Sequence, residues 1–269
     1  MLIVGADPQL ADALGHNVVA GVGTIPARRV DAGAKLLDAV TKSPITDGDS
    51  RLIEPSAARQ ELEHRAARSP RELAEQLARV YGRDFTQPTY IAAMALISRL
   101  RLGEQGDVTK LIAPYLDGTS DSFARPSQSS LAAHMLFAEL VRRTGDERAT
   151  RLVVRAAGSG FTPSGELREF MPLHGGWSDS LFMDVPILAQ AGALTGDRRY
   201  FDMAARHVVF MQRIVLRPDG LYRHQASTDA AWGRGNAFPA LGLALTLSEF
   251  PPDHPAYPQL LASFRQHMA

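Results

Sequence analysis

Two short stretches of this sequence each combine an indole, glycines and an ionisable side chain. Trp177-Ser178-Asp179 stands in "GGWSDSLFMD" and Trp232-Gly233-Arg234 in "WGRGNAF". These are the only two tryptophans of the chain, and each precedes a charged residue by two positions at an expected helix entrance. In the first stretch Gly175-Gly176 is a flexible approach, Ser178 is placed to cap the helix, and Asp179 falls in its first turn. A carboxylate at such a place is favoured in its charged form by the helix dipole. To act as an acid near neutrality it must be desolvated, and Trp177 and Phe182 are suitable walls. In the second stretch Gly233 and Gly235 let the backbone turn sharply, and Asn236 can cap the helix that follows. Arg234 between them offers a planar fork that binds both oxygens of a carboxylate. His224 lies on the loop that leads there. Each stretch alone also fits a plainer description, a capped helix beside a core tryptophan or a surface arginine. Together they pair a platform and an acid with a platform and a cation, as recognition of an acidic sugar requires.

The elements that position these residues read as helices in succession. "SPRELAEQLARVYG" (69–82) begins with Ser, Pro and, three residues after the Ser, Glu; it stops on Gly. Further helices are expected at 87–103, 107–116, 128–143, 146–157, 178–194, 197–215, 236–250 and 257–268. Their apolar residues recur at i, i+3, i+4 and i+7, which buries one stripe of each. "RRTGDERATRLVVRAA" and "ALTGDRRYFDMAARHV" repeat one pattern, in which Gly ends a helix left-handed and Asp caps the next. "GEQGDVTKLIAPYL" is a weaker copy. Helical hairpins with long inserts between them are the grammar of stacked helix pairs. The expected fold class is all-α, an α/α toroid whose loops at one end carry the active site. Residues 1–68 form an N-terminal segment of unassigned structure and 69–269 the barrel domain. Gly21-Val22-Gly23 lacks the third glycine and the βαβ context of a nucleotide loop.

Composition removes several function classes. Of 269 residues, 45% are hydrophobic, enough for a core, and Lys+Arg and Asp+Glu both number 29. A formal net charge of zero gives no basic excess for nucleic acid or an anionic membrane. There is no cysteine, so disulfides and thiolate metal sites are excluded. No basic n-region opens the chain and no apolar run reaches spanning length. The expectation is a cytoplasmic protein, monomeric or homodimeric, with no nucleic-acid or membrane partner.

"GWSDSLFMDVPILAQAGALTGDRRYFDMAARH" followed by "DGLYRHQASTDAAWGRGNAF" resembles the unsaturated glucuronyl and rhamnogalacturonyl hydrolases, glycoside hydrolase families 88 and 105. The pattern is W-x-D-x-x-(F/Y)-M, T-G-D-x-x-Y, a His, then W-x-R-G-N-x-(W/F). The resemblance is strong from Trp177 to about Leu247 and fair back to about Ser127. It implies a six-hairpin α/α barrel acting on oligosaccharides with a 4,5-unsaturated uronic acid at the non-reducing end. It also implies that Asp179 protonates the double bond and activates the water that adds to it. Trp177, Met183, His224, Trp232, Arg234, Asn236 and Phe238 would contact substrate, and no metal or organic cofactor is implied. Another toroid enzyme, such as a sugar epimerase, would use histidines, with His134, His207 and His267 as candidates. A non-catalytic carbohydrate-binding protein is the other alternative.

Two departures from the family pattern stand out. A second important Asp is commonly placed at the start of the inner helix before a T-G-D turn; here Gln128, Ser129 and Ser130 occupy that region. Asp117 and Asp121 lie upstream without a convincing alignment. About nine helices follow Ser69 where six hairpins need twelve, so a barrel incomplete at its C-terminus is expected.

Overall fold

The computed structural model describes residues 57–269. By its contacts the chain divides into two units, Met1–Leu73 and Ala74–Ala269. In the first, helix α1 (Ala57–Ala67) is charged along its length, with Arg65 bonded to Glu61 one turn earlier. Helix α2 (Pro70–Val80) contains the boundary between the units. It opens on the expected capping box: Ser69 N–H donates to the Glu72 carboxylate at 2.8 Å and Glu72 N–H to Ser69 Oγ at 3.2 Å. Gly21, Gly23 and the rest of the segment before residue 57 lie outside the described residues.

The second unit is built of hairpins. Helix α3 (Tyr90–Arg101) pairs with α4 (Gln105–Leu116), and α5 (Gln128–Ala133) with its continuation α6 (Met135–Thr144) pairs with α7 (Glu147–Ala157). Next come α8 (Ser180–Met183) and α9 (Val185–Thr195), which pair with α10 (Arg199–Val215). Last, α11 (Gly233–Leu247) pairs with α12 (Tyr257–Met268). The first members of the hairpins, α3, α5–α6, α8–α9 and α11, pack on one another in that order and form an inner layer. The second members flank them, with α7 also lying on α9. This is the α/α toroid architecture, represented among the described residues of this unit by four hairpins. Those residues contain no β-strand, only isolated antiparallel bridges such as Trp177 with Gln225.

The core is the shared seam of the two layers. Leu96, Leu131, Leu136, Leu188, Val208 and Met211 are fully buried, each contributing roughly 1.5–3 kcal/mol relative to exposure. The T-G-D turns behave as their residues dictate. Gly145 and Gly196 take φ of +70° and +74°, and the Asp146 carboxylate accepts the Arg148 N–H that opens α7. At the far end of the inner layer, Glu139 near the end of α6 is buried and bonded to Arg101 of α3 and Arg143 of its own helix. Arg142 reaches Glu249, just past α11. These arginines lie in the last turns of their helices, where cations also answer the helix dipole.

Two expected helices are each broken by one residue. The span 128–143 divides at His134 and the span 178–194 at Asp184. Pro186 explains the second break, since it has no N–H to offer the Phe182 carbonyl. The chain there also lies against α11: a Cβ on Gly242 would overlap the Leu181 carbonyl. Glycine is the residue that lets α11 approach the backbone this closely. Helix α11 itself begins at Gly233 and ends at Leu247, three residues earlier at each end than the spacing predicts.

Candidate active site

The inner helices α3, α5, α8 and α11 bring their N-termini to one cavity of about 560 Å³, within the range of small-ligand sites. Its wall includes Tyr90, Gln128, Trp177, Asp179, Met183 and Arg234. Two loops assemble it. Ser178 N–H donates to the His224 carbonyl at 2.9 Å, and the Trp177 indole N–H to Gln225 Oε1 at 2.9 Å. The segment before α8 is thereby zipped to the segment before α11.

Asp179 is only 5% exposed. Its carboxylate lies 3.8 Å from His224 Nδ1 through one oxygen and 3.8 Å from an Arg234 amine nitrogen through the other. Neither Asp179 Oδ2 nor His224 Nδ1 has a hydrogen-bond partner, though both are buried. An acid, an imidazole and a guanidinium therefore face one another just beyond hydrogen-bond length, an arrangement that a bound ligand or water can tighten. The His224 ring lies 4.9 Å from the Trp177 ring and 5.7 Å from Trp232, edge-on to the latter. Arg234 spreads over the Trp232 ring at 4.4 Å and is 5.8 Å from Phe238. Such stacking fixes a guanidinium while leaving its N–H edge free. Trp177 and Trp232 keep 43% and 44% of their surface in solvent, a large fraction for indoles and available to a sugar face. A Cβ on Gly235 would meet the Trp232 indole nitrogen at 2.8 Å, so glycine there is what lets the indole fold over the helix start.

Trp177, Asp179, Met183 and Arg234 thus form the wall, and His224, Trp232 and Phe238 support it from beside. Phe238 packs between Phe182 at 5.1 Å and Tyr90 at 5.8 Å. Asn236 is a correction. Its Oδ1 accepts from Tyr222 N–H at 2.9 Å, and its Nδ2 serves the Tyr222 and Trp232 carbonyls at 3.1 Å. With its amide engaged in holding the loop at Tyr222 to the first turn of α11, it is not the helix cap; Trp232 takes that position. Ser178 likewise does not cap its helix. It is buried with Oγ unpartnered, and Asp179 precedes the first helical residue. The histidines considered for an epimerase are used elsewhere. His134 is buried and bonded to Ser122 and the Ser130 carbonyl, and burial pushes its pKa down to about 4. His267 on α12 contacts the Gly220 and Asn236 carbonyls, and His207 belongs to a buried network beneath the cavity.

That network is the part of the site that sequence reasoning missed. Asp184, fully buried, accepts from Gln128 Nε2–H at 2.9 Å and from Ser180 Oγ–H, and lies 3.6 Å from His207 Nε2. A lone carboxylate in the otherwise apolar "LFMDVPILA" was the available signal. Asp121 pairs with Arg155, which holds its carboxyl below the usual range, and lines a separate polar cavity of about 420 Å³. Among the described residues no group of three or more His, Asp or Glu is arranged to hold a metal ion, and no helix is long and apolar enough to cross a membrane.

The comparisons with known proteins agree with this fold. A glycoside hydrolase of family 105 from C. acetobutylicum ATCC 824 superposes with a TM-score of 0.58 at 14% identity, covering 74% of this chain and 64% of that one. A glycosyl hydrolase family 88 protein from Bacteroides vulgatus gives 0.56 at 12% identity, over 74% of this chain and 67% of that one. A polysaccharide lyase gives 0.57 at 14% identity, over 74% and 66%. The chain therefore spans about two thirds of the length of these structures, and at such identities the likeness is one of fold. The lyase among them shows that this fold alone does not name a reaction. A search of curated proteins finds no match. The sequence model of Glycosyl Hydrolase Family 88 matches residues 107–269, which include every residue of the Asp179–His224–Arg234 constellation, and the chain belongs to that family.

Proposed function

We propose that this protein removes a 4,5-unsaturated uronic acid from the non-reducing end of oligosaccharides released by polysaccharide lyases, by hydration of the C4=C5 double bond. The observation that carries this reading is Asp179, a buried carboxylate with an unpartnered oxygen, flanked by an imidazole and a guanidinium and open to a cavity with exposed indoles. A single acid suits the reaction. The Asp179 carboxyl delivers its proton to C4, and the resulting carboxylate takes a proton from the water whose oxygen bonds to C5. The acid is regenerated and one water has been added. The product is a hemiketal at C5. Its C5–O bond opens to a ketone, leaving a hemiacetal at C1 that expels the neighbouring sugar as an alcohol. Ordinary glycoside hydrolysis instead needs two carboxylates flanking the anomeric carbon, and among the described residues the cavity wall has only Asp179.

The remaining residues fit binding roles. Arg234 answers the uronate carboxylate with its free edge, Trp177 offers a stacking face, and His224 orients the attacking water or a ring hydroxyl. Incubation with lyase-generated unsaturated disaccharides of glucuronate, galacturonate and rhamnogalacturonan types tests the reading. Loss of the ultraviolet absorbance of the conjugated double bond is expected, and Asp179→Asn should abolish it. A folded sample that leaves the absorbance unchanged with every substrate, yet binds them, would place the protein among carbohydrate-binding members of the fold.

A further inference from the structure

The network under the cavity has a fixed polarity. Met171 N–H donates to His207 Nδ1 at 3.1 Å, so the neutral ring carries its proton on Nε2. That nitrogen donates to Ser180 Oγ at 2.7 Å, and Ser180 in turn passes its own hydroxyl hydrogen to Asp184. A carboxylate is an acceptor only, so the Gln128 side chain must present its NH₂ to Asp184, as it does at 2.9 Å. The amide can no longer flip, and its oxygen is held on the opposite side. That oxygen lies beside Gly175, 3.7 Å from where a Cβ on that residue would stand, and Gln128 and Gly175 both line the cavity. His207, Ser180 and Asp184 are fully buried, and Asp184 Oδ1 has no hydrogen-bond partner. A buried carboxylate left half-bonded is costly, which points to a role besides packing.

We infer that Gln128 is a specificity-determining residue, its amide oxygen accepting a hydroxyl of the bound sugar, and that Asp184 is the positioning residue that fixes this orientation. The inference rests on the uronide reading above. The helix start that carries no carboxylate at 128–130 is thereby coupled to one on the neighbouring inner helix. The pair presents a hydrogen-bond acceptor to the ligand while the group that orients it stays a layer deeper, beneath the cavity wall.

The test uses the full chain with Gln128→Glu, Asp184→Asn and both together, assayed on an unsaturated uronyl disaccharide. Calorimetric Kd values in the Asp179→Asn background give a readout that needs no turnover. Gln128→Glu sets two carboxylates against each other, and Asp184→Asn lets the Gln128 amide flip. Each should raise KM and Kd about tenfold, the effect of one lost hydrogen bond, with kcat within about threefold. In the double variant the new amide at position 184 donates to the new carboxylate at position 128, which still turns an acceptor to the cavity. KM and Kd should then return to within about threefold of the parent. A purely structural pair would lower the melting temperature and leave KM and Kd unchanged. That result, or a double variant no better than the worse single one, overturns the inference while the uronide reading stands. If the parent neither binds nor converts any such disaccharide, both fall together.

Discussion

Protonation of His134 is expected to be a main acid-sensitive step of this fold. The ring is wholly buried. Its Nδ1–H donates to the Ser130 carbonyl at 2.6 Å, and its Nε2 takes the Ser122 hydroxyl at 2.9 Å. The neutral form is satisfied on both sides, whereas a proton on Nε2 would have to displace a donor in a site closed to solvent. Burial, the largest cause, lowers the pKa from 6.5 to about 4; Arg155 adds to this, and the Ser130 bond and Asp121 oppose it. The unfolded ring binds its proton near pH 6.5 and the folded ring only near 4, so the unfolded state is favoured as pH falls through that window. Stability from this group is complete above pH 6.5 and declines towards pH 4. At roughly 1.4 kcal/mol per pH unit the full loss is about 3 kcal/mol, of which about 2 kcal/mol has gone by about pH 5. Urea unfolding of the parent and of His134→Gln between about pH 5 and 7.5 measures it. The variant keeps a donor for Ser130 and an acceptor for Ser122, so its overall stability will differ, but its pH slope in this window should be flatter by that amount. Equal slopes, or a parent that gains stability on acidification from neutrality, would refute the reasoning.

Other expectations follow from the site and its supports. Asp179→Asn should lower kcat by at least about a thousandfold, since on the proposed mechanism it removes the proton donor, with a melting temperature within a few degrees of the parent. Arg234→Lys should raise KM roughly tenfold or more with a smaller effect on kcat, because a point charge can neither lie flat over Trp232 nor present a fork; an unchanged KM would remove Arg234 from substrate binding. Gly242→Ala should destabilise by about 1–3 kcal/mol in denaturant unfolding, because the new methyl collides with backbone at Leu181 and not with a side chain that can swing away. It should also depress activity more than stability explains, as Leu181 lies two residues from Asp179.

The parts of this structure that are legible in the sequence have local causes. The T-G-D turns can be placed because glycine's left-handed φ and aspartate's capping bond both act within a few residues. Helix 257–268 shows its bounds because a Pro sits at its start and its apolar spacing is regular. Trp177, Asp179, His224, Trp232 and Arg234 stand out together because each lies in a contiguous motif beside a turn. What escapes the sequence depends on partners distant in it. The break at Asp184 follows from Pro186 together with the close approach of Gly242, and no periodicity encodes the latter. Asn236 looks like a cap by position, yet Tyr222 on the preceding loop claims its amide. Gln128 looks like a vacancy in a motif until Asp184, one inner helix away, supplies its partner.

The cavity draws Tyr90 from the first hairpin, Gln128 from the second, Asp179 from the third and Arg234 from the fourth. Each hairpin packs chiefly on its neighbours, and in arrays of this kind cohesion is a sum of such interfaces. On the proposed function, turnover therefore works as a coincidence detector, reporting that all four interfaces are closed at once, while circular dichroism merely counts helical residues. On gentle heating or in dilute denaturant, a slight splaying of one hairpin should extinguish activity while the helical signal is still intact. An assay that scores folding by helix content would pass samples that are already catalytically silent.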